Sequence, residues 1–261
     1  MKIIVFNDYC CLGNCSLKVN ISVLMQNKIE VVAIPTKIFS SHMGYEHFVS
    51  FKMPNFLKIK ESIEKNIKDF DLIYIGYVDE MNQFEIIEKY IEKSKKNFVL
   101  DPILGDDGKK YSKTTTNQIL FYKKLLKFHP VITPNLTEAV LLTDYKKSYL
   151  ELKKQDVIEM AKKLFEMGAK EVIIKGFEEN KKLYTLYFIE NEMKFFSIDK
   201  IDTSICGTGD AFSSLIALEI LRKNNIKNSI DKIQKLLFEQ IKTQQLHQGL
   251  NEISIEKLKL K

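Results

Sequence analysis

The sequence predicts an α/β fold, with a central, mostly parallel sheet and helices on both of its faces. Three observations carry that prediction. Short β-branched apolar runs alternate with lysine-rich amphipathic stretches almost from end to end. The residues capable of chemistry cluster just after those runs, at the strand ends where open parallel sheets bind ligands. No linker or internal repeat interrupts the rhythm, so residues 1–261 read as a single domain.

Taken in order, Ile3–Phe6 is an apolar, β-branched run suited to a buried strand, and Asn7–Ser16 follows it as a polar strand-end loop. Ser16–Gln26 has helical spacing, Val31–Ile34 is the next strand, and Thr36–Tyr45 is the loop after it. Phe56–Ile67 is a helix and Leu72–Ile75 a strand, with Gly76-Tyr77 directly behind it. The same alternation gives a helix at Gln83–Ser94, a strand at Phe98–Leu100, and a loop at Asp101–Tyr111. A helix at Thr116–Lys127 leads to a strand at Val131–Ile132, the segment Thr133–Glu138, and a helix at Leu136–Leu142. Lys154–Met167 is a helix closed by Gly168, where a C-cap glycine belongs, and Val172–Ile174 is the strand beyond. Lys182–Ile189 and Glu192–Ile198, joined by Glu190-Asn191, form a hairpin. After Cys206–Asp210, the stretch from Thr208 to Gly249 reads as two consecutive helices.

Composition narrows the function. Hydrophobic residues make up 45% and aromatics 11%, which excludes a disordered chain. The net charge of +6 does not point to nucleic acid, because Arg222 is the only arginine among 40 basic residues and the lysines interleave with acids. Phosphate and base recognition favours arginine forks, whereas interleaved charges read as solvated helix faces. No apolar run approaches the roughly 20 residues of a membrane span, and the N-terminal run is too short for a signal peptide. Four cysteines without framework spacing suit a reducing, cytoplasmic setting. The expectation is therefore a soluble cytoplasmic globular protein, without a nucleic-acid or membrane partner.

Three segments carry the chemistry. Cys206-Gly207-Thr208-Gly209-Asp210 opens a helix, so Gly207, Thr208 and Gly209 can turn backbone N–H groups toward an anion at its positive end. Asp210 beside that anion is suited to act as a base on an attacking hydroxyl, although an N-cap role would also account for it. Asp101-Pro102-Ile103-Leu104-Gly105-Asp106-Asp107-Gly108 gathers hard oxygen ligands of the kind Mg²⁺ takes, or forms an ordinary polar turn. In Thr133-Pro134-Asn135-Leu136-Thr137-Glu138-Ala139, Asn135 and Glu138 have capping-box spacing, and a metal-site role for Glu138 stands beside it. Neither a GxxxxGK[ST] loop nor a GxGxxG fingerprint is present, and the cysteines lack zinc-site spacing.

The order Asp-Pro-x-x-Gly-Asp, Thr-Pro-Asn-x-x-Glu-Ala, Gly-Thr-Gly-Asp resembles the ribokinase-like superfamily of small-molecule kinases. Within it the chain is most similar to the pyridoxal/pyridoxamine kinases. Phe39-Ser40-Ser41-His42-Met43-Gly44-Tyr45 resembles their Phe-Ser-x-His-Thr-Gly-Tyr loop, Gly76-Tyr77 their Gly-Tyr, and Gly13-Asn14-Cys15-Ser16-Leu17 a bacterial Gly-x-Cys-Ser-Leu. The resemblance spans Ile3 to Gly249 and implies a three-layer αβα ribokinase-like fold.

The activity it implies is ATP-dependent phosphorylation of the 5′-hydroxymethyl group of a vitamin B6 vitamer in the salvage of pyridoxal 5′-phosphate. By the same resemblance, Asp210 is the catalytic base, and Gly207, Thr208 and Gly209 form the anion hole. Asp106 and Glu138 hold Mg²⁺, while Thr133, Asn135 and Lys175 lie near ATP. His42 and Tyr77 flank the pyridine ring, Cys206 lines the pocket, and Cys10 and Met43 stand where family members carry serine and threonine. Those two replacements each remove a hydroxyl that could hydrogen-bond the ring substituents. A homodimer and, as a further candidate cofactor, a monovalent cation are also implied. The alternatives are a hydroxymethylpyrimidine/phosphomethylpyrimidine kinase of thiamine synthesis and a non-catalytic vitamer-binding protein on the same fold.

Overall fold

The structure, a computed structural model, describes residues 1–203, 205–244, 251–255 and 258–260. The chain divides into two compact units, Met1–Val78 with Ile201–Lys261, and Asp79–Lys200. Each carries its own stretch of parallel strands with helices, as the alternating pattern predicts.

The first unit opens with β1 (Lys2–Leu12), α1 (Ser16–Gln26), β2 (Glu30–Ser41), β3 (Ser50–Lys52), α2 (Phe56–Asn66) and β4 (Leu72–Ile75). Strand β1 runs between β2 and β4, parallel to both, and β3 adds an antiparallel edge to β2. Ile3, Ile4, Val5 and Phe6 are all fully buried, as a strand covered on both faces requires. Both β1 and β2 run beyond their apolar segments, so the loops expected at Asn7–Ser16 and Thr36–Tyr45 begin as strand. After a register shift between Asn7 and Tyr9, the ladder continues through Tyr9–Ile38, Cys10–Phe39 and Leu12–Ser41. The polar pair Asn7-Asp8 ends the hydrophobic pattern but not the backbone pairing, because both side chains find buried hydrogen bonds.

The second unit contains α3 (Met81–Ser94), β5 (Phe98–Leu100), the short hairpin β6 (Gly105–Asp106) and β7 (Lys109–Lys110), and α4 (Thr116–Leu125). It continues with β8 (Val131–Ile132), α5 (Leu136–Thr143), α6 (Lys154–Glu166), β9 (Glu171–Glu179), β10 (Lys182–Ile189) and β11 (Glu192–Asp199). Strands β5, β8 and β9 are parallel neighbours, and β9, β10 and β11 form an antiparallel meander, with the expected hairpin closing at Ile189 and Glu192. Helix α4 stops short of the expected Lys127 and tightens into a 3₁₀ turn at Leu126–Phe128. Gly168 has φ +116°, and a Cβ there would stand 2.6 Å from the Leu126 carbonyl oxygen, so both conformation and space demand glycine.

The chain then completes the first unit with β12 (Ile205–Cys206), α7 (Thr208–Leu221), α8 (Ile226–Thr243) and β13 (Asn251–Glu252), which is parallel to β12. Helix α7 is buried continuously from Ala211 to Glu219 and packs against α1 and α8, as a helix apolar on every side must. The sole arginine has a structural post: Arg222 Nη1 donates to the Leu260 carbonyl at 3.1 Å, tying down the last described residues. The second tail helix ends at Thr243, and the part expected to reach Gly249 lies outside the described residues. No helix among the described residues is long and apolar enough to cross a membrane.

Candidate active site

Two groups of residues carry the expected chemistry, one in each unit. The first is built where β1 and α7 meet. Gly207 is the N-cap of α7 at φ +83°, and a Cβ there would collide with the backbone oxygen of Asn14. Only glycine can make this entry, and it places Gly207, Thr208 and Gly209 at the cap and first two helical positions. At a helix start, geometry turns backbone N–H groups outward and the dipole favours an anion.

Asp210 is the third helical residue, and the N-cap position belongs to Gly207. The carboxylate is therefore not an N-cap. Its Oδ2 accepts the Ser16 N–H at 2.8 Å, and its Oδ1 faces the Asn7 Nδ2 donor at 3.4 Å. Ser16 is the first residue of α1 and sits in the left-handed region at φ +53°. Asp210 thus accepts from the start of a second helix while lying in the first turn of its own, and both helix ends favour its charged form.

The residues expected on the ring side belong to the same unit. His42 Nδ1 accepts the Gly44 N–H at 3.1 Å and lies 3.8 Å from the Cys206 sulfur. With Nδ1 accepting, the proton of the neutral ring belongs on Nε2. Burial lowers the His42 pKa below 6.5, with Glu252 opposing. Met43 is half-buried next to His42. Tyr77 is only 1% exposed, with its ring edge-on to Phe39 at 5.5 Å, so it belongs to the core behind the site. Cys10 is also buried, and its thiol donates to Asp8 Oδ2 at 3.5 Å. A hydrogen bond with Cys15, then burial and the Asp8 charge, push the Cys10 thiol far above its ordinary pKa and keep it neutral.

The second group surrounds the start of α5. The capping box is formed: Asn135 Oδ1 accepts the Glu138 N–H at 2.9 Å, and Glu138 Oε2 accepts the Asn135 N–H at 2.7 Å. Glu138 Oε1 also accepts from Leu104 N–H at 3.3 Å. Burial raises its pKa well above 4.5, with Lys175 opposing and Asp101 and Asp106 adding to the rise. Asn135 Nδ2 donates to the Gly105 carbonyl at 2.8 Å and faces Asp106 Oδ1 at 3.4 Å, so both expected metal carboxylates converge on Asn135. Lys175 is not a solvated strand-end lysine, because it pairs with Asp101 at 2.9 Å and its side chain is 14% exposed. Thr133 is fully buried and its hydroxyl donates to Asp101 at 3.3 Å, which makes it a support for that pair.

Among the described residues no group of three or more His, Cys, Asp or Glu side chains could hold a metal ion. Two converging carboxylates nevertheless fit Mg²⁺, which takes one or two from the protein and fills its shell with water and phosphate oxygens. Sequence reasoning missed Asn7, Ser16 and Glu252. The Glu252 carboxylate accepts from the Tyr45 hydroxyl at 2.9 Å and the Asn14 N–H at 2.8 Å, joining the His42 loop to the turn before α1. Nothing distinguishes Glu252 from the other acids of a lysine- and glutamate-rich tail.

Comparison with known proteins adds four findings. The family model described as phosphomethylpyrimidine kinase matches residues 46–255. A Schizosaccharomyces pombe protein is 27% identical over 74% of this chain, and the chain spans 60% of that relative's length. Pyridoxine kinase of Bacillus subtilis is 30% identical over 66% of this chain and 64% of its own. The crystal structure of a Bacteroides thetaiotaomicron protein with pyridoxal superposes with a TM-score of 0.90 at 25% identity, covering 98% of this chain and 93% of that one.

Proposed function

Since this chain belongs to the phosphomethylpyrimidine kinase family, we propose that it is an ATP-dependent kinase of the 5′-hydroxymethyl group of a vitamin B6 vitamer: pyridoxal, pyridoxine or pyridoxamine. The observation that carries the reading is the Asp210 carboxylate. It lies in the first turn of α7, past the N-cap position that Gly207 takes, where it accepts the Ser16 amide and faces the Asn7 carboxamide. The Bacillus subtilis pyridoxine kinase and the pyridoxal-containing Bacteroides structure support the choice of vitamer.

Phosphoryl transfer is mostly positioning and charge neutralisation of a loose transition state. Asp210 accepts the proton of the hydroxymethyl group as its oxygen attacks. The N–H groups of Gly207, Thr208 and Gly209 meet the negative charge of the transferring phosphoryl. Asn135 and Lys175 bind on the ATP side, with Thr133 holding Asp101 in place for Lys175. Asp106 and Glu138 would hold Mg²⁺, which when bound neutralises phosphate charge. On the ring side, His42 lies with its Nδ1 near the Cys206 sulfur and carries its proton on Nε2, Met43 follows it in the loop, and Tyr77 and Cys10 back the site from the core. A cytoplasmic homodimer, with a monovalent cation as further cofactor, completes the reading.

The test is ADP release with ATP and Mg²⁺ across pyridoxal, pyridoxine, pyridoxamine and hydroxymethylpyrimidine, with Asp210→Asn as the control. Turnover of a B6 vitamer, abolished in Asp210→Asn while ADP binding persists, is the expected result. Turnover of the pyrimidine alone would move the protein to thiamine synthesis, and nucleotide binding without turnover would make it a binding protein. Full activity in Asp210→Asn would remove Asp210 from the base role.

A further inference from the structure

The base is held by a residue that the motifs do not include. Asn7 is completely buried on β1, and its carboxamide uses its whole hydrogen-bonding capacity. Oδ1 accepts the Tyr77 N–H at 2.8 Å and the Asp8 N–H at 3.0 Å. Nδ2 donates to Asn20 Oδ1 at 2.8 Å and faces Asp210 Oδ1 at 3.4 Å. Asn20, itself fully buried on α1, donates onward to the Ser214 hydroxyl on α7 at 2.9 Å. Two donors and two acceptors with four different partners leave the amide a single orientation, since a flip would set N–H against N–H at Tyr77 and Asp8. The same group accounts for the Gly-Tyr motif: a Cβ on Gly76 would collide with the Asn7 carboxamide.

We propose that Asn7 is a positioning residue, whose locked carboxamide fixes the Asp210 carboxylate relative to the Tyr77 backbone and keeps it ionised as the base. The inference rests on Asp210 being that base. Tyr77 is held from its other side as well, because its carbonyl accepts the Thr36 hydroxyl at 2.6 Å. One buried amide therefore ties the strand end behind the vitamer site to the proton acceptor. Full satisfaction inside a low-dielectric core is what makes such a network rigid.

Asn7→Asp keeps the shape, replaces the donor facing Asp210 by an oxygen, and creates a pair of carboxyls. Whichever of them carries the shared proton, the pair titrates as a unit, and its upper apparent pKa lies above that of Asp210 alone. Titratable side chains on the surrounding elements, Asp8 on β1, Cys15 before α1, Cys206 before α7 and Tyr77 after β4, are untouched by the change. The acid limb of the kcat profile with the preferred vitamer should move up by about one pH unit or more. At pH 7, kcat should fall on the order of 100-fold, the scale set by misplacing a catalytic group by about an ångström, with KM for ATP little changed. Asn20→Asp is the milder companion: its carboxylate still accepts from Asn7 and can accept from Ser214, so every bond of the network survives and the limb should shift in the same direction by less. Wild-type kcat and acid limb in whichever of the two variants folds, alongside a dead Asp210→Asn, would overturn the role of Asn7 and leave the base reading standing. Activity in Asp210→Asn would instead sink the base reading itself.

Discussion

Removing Lys175 should cost this protein far more than removing a surface lysine. Its ammonium lies 2.9 Å from Asp101, and the two side chains are only 14% and 4% exposed. Asp101 keeps the Thr133 hydroxyl at 3.3 Å, but that neutral donor cannot balance a charge. Lys175 also offsets the burial of Glu138, whose pKa is raised further by Asp101 and Asp106. In Lys175→Met, three carboxyl groups would therefore share a site without their cation. Breaking a buried pair by removing one partner costs about 3–5 kcal/mol, against about 0–1 kcal/mol for an exposed one. For 261 residues the unfolding entropy is about 0.55 kcal/mol/K, so the buried case lowers Tm by about 5–9 °C and the exposed case by no more than about 2 °C. Thermal unfolding of Lys175→Met beside Lys175→Met/Asp101→Asn measures both arms. The double variant removes the orphaned charge and should recover much of the loss. A single variant within 2 °C of wild type, or a double variant no better than the single, would refute the argument that this is a buried pair.

Gly207→Ala forces a side chain into the left-handed region at φ +83° and against the Asn14 carbonyl, so the first turn of α7 must shift. Losing one well-aimed anion-hole donor costs on the order of 100-fold in kcat, and steady-state kinetics showing unchanged kcat would separate Gly207 from the transfer step. His42 makes a pH prediction whose sign follows from its lowered pKa. A histidine that is harder to protonate when folded contributes stability that is present above its unfolded value of 6.5 and is lost as pH falls below it. Protonation would also abolish the Nδ1 acceptor used by Gly44. Melting between pH 8 and 5 should accordingly show a loss in wild type that is smaller in His42→Gln, and parallel curves would contradict it.

How much of this was legible in the sequence differs from element to element. The strands Leu72–Ile75, Phe98–Leu100 and Val131–Ile132 and the helix Ser16–Gln26 appear with the bounds their periodicity predicts, because burial on one or both faces imposes the pattern locally. The outer halves of β1 and β2 were not legible. There the ladder is maintained by a neighbouring strand and by buried partners of Asn7 and Asp8, neither of which leaves a hydrophobic period. The motifs behaved similarly. The capping box of Asn135 and Glu138 is local, and its spacing foretold it. Asn7 draws its partners from positions 20, 77 and 210, and no window of sequence contains them together. Asp210 could be read as an N-cap only while its partners were unknown. Gly207 takes that position, and the carboxylate is turned to Ser16 and Asn7.

Glu138 has a capping role that leaves room for the proposed metal role beside it. Its two oxygens each accept one backbone N–H, from Asn135 and from Leu104. A carboxylate has about four lone-pair directions, so capping uses only half of what it offers. Capping alone would also be served by an exposed acid at the helix start, where water solvates the charge. Glu138 is instead 4% exposed, and burial first, then Asp101 and Asp106, raise its pKa against the opposing Lys175. The fold thus holds this carboxylate in a fixed direction at a place where its ionised form is under-compensated. Binding the proposed Mg²⁺ would relieve that imbalance, because a cation favours the ionised state that burial disfavours. The capping box orients the carboxylate, and burial among like charges would give the proposed Mg²⁺ its affinity there, so the two readings of Glu138 are compatible in one residue.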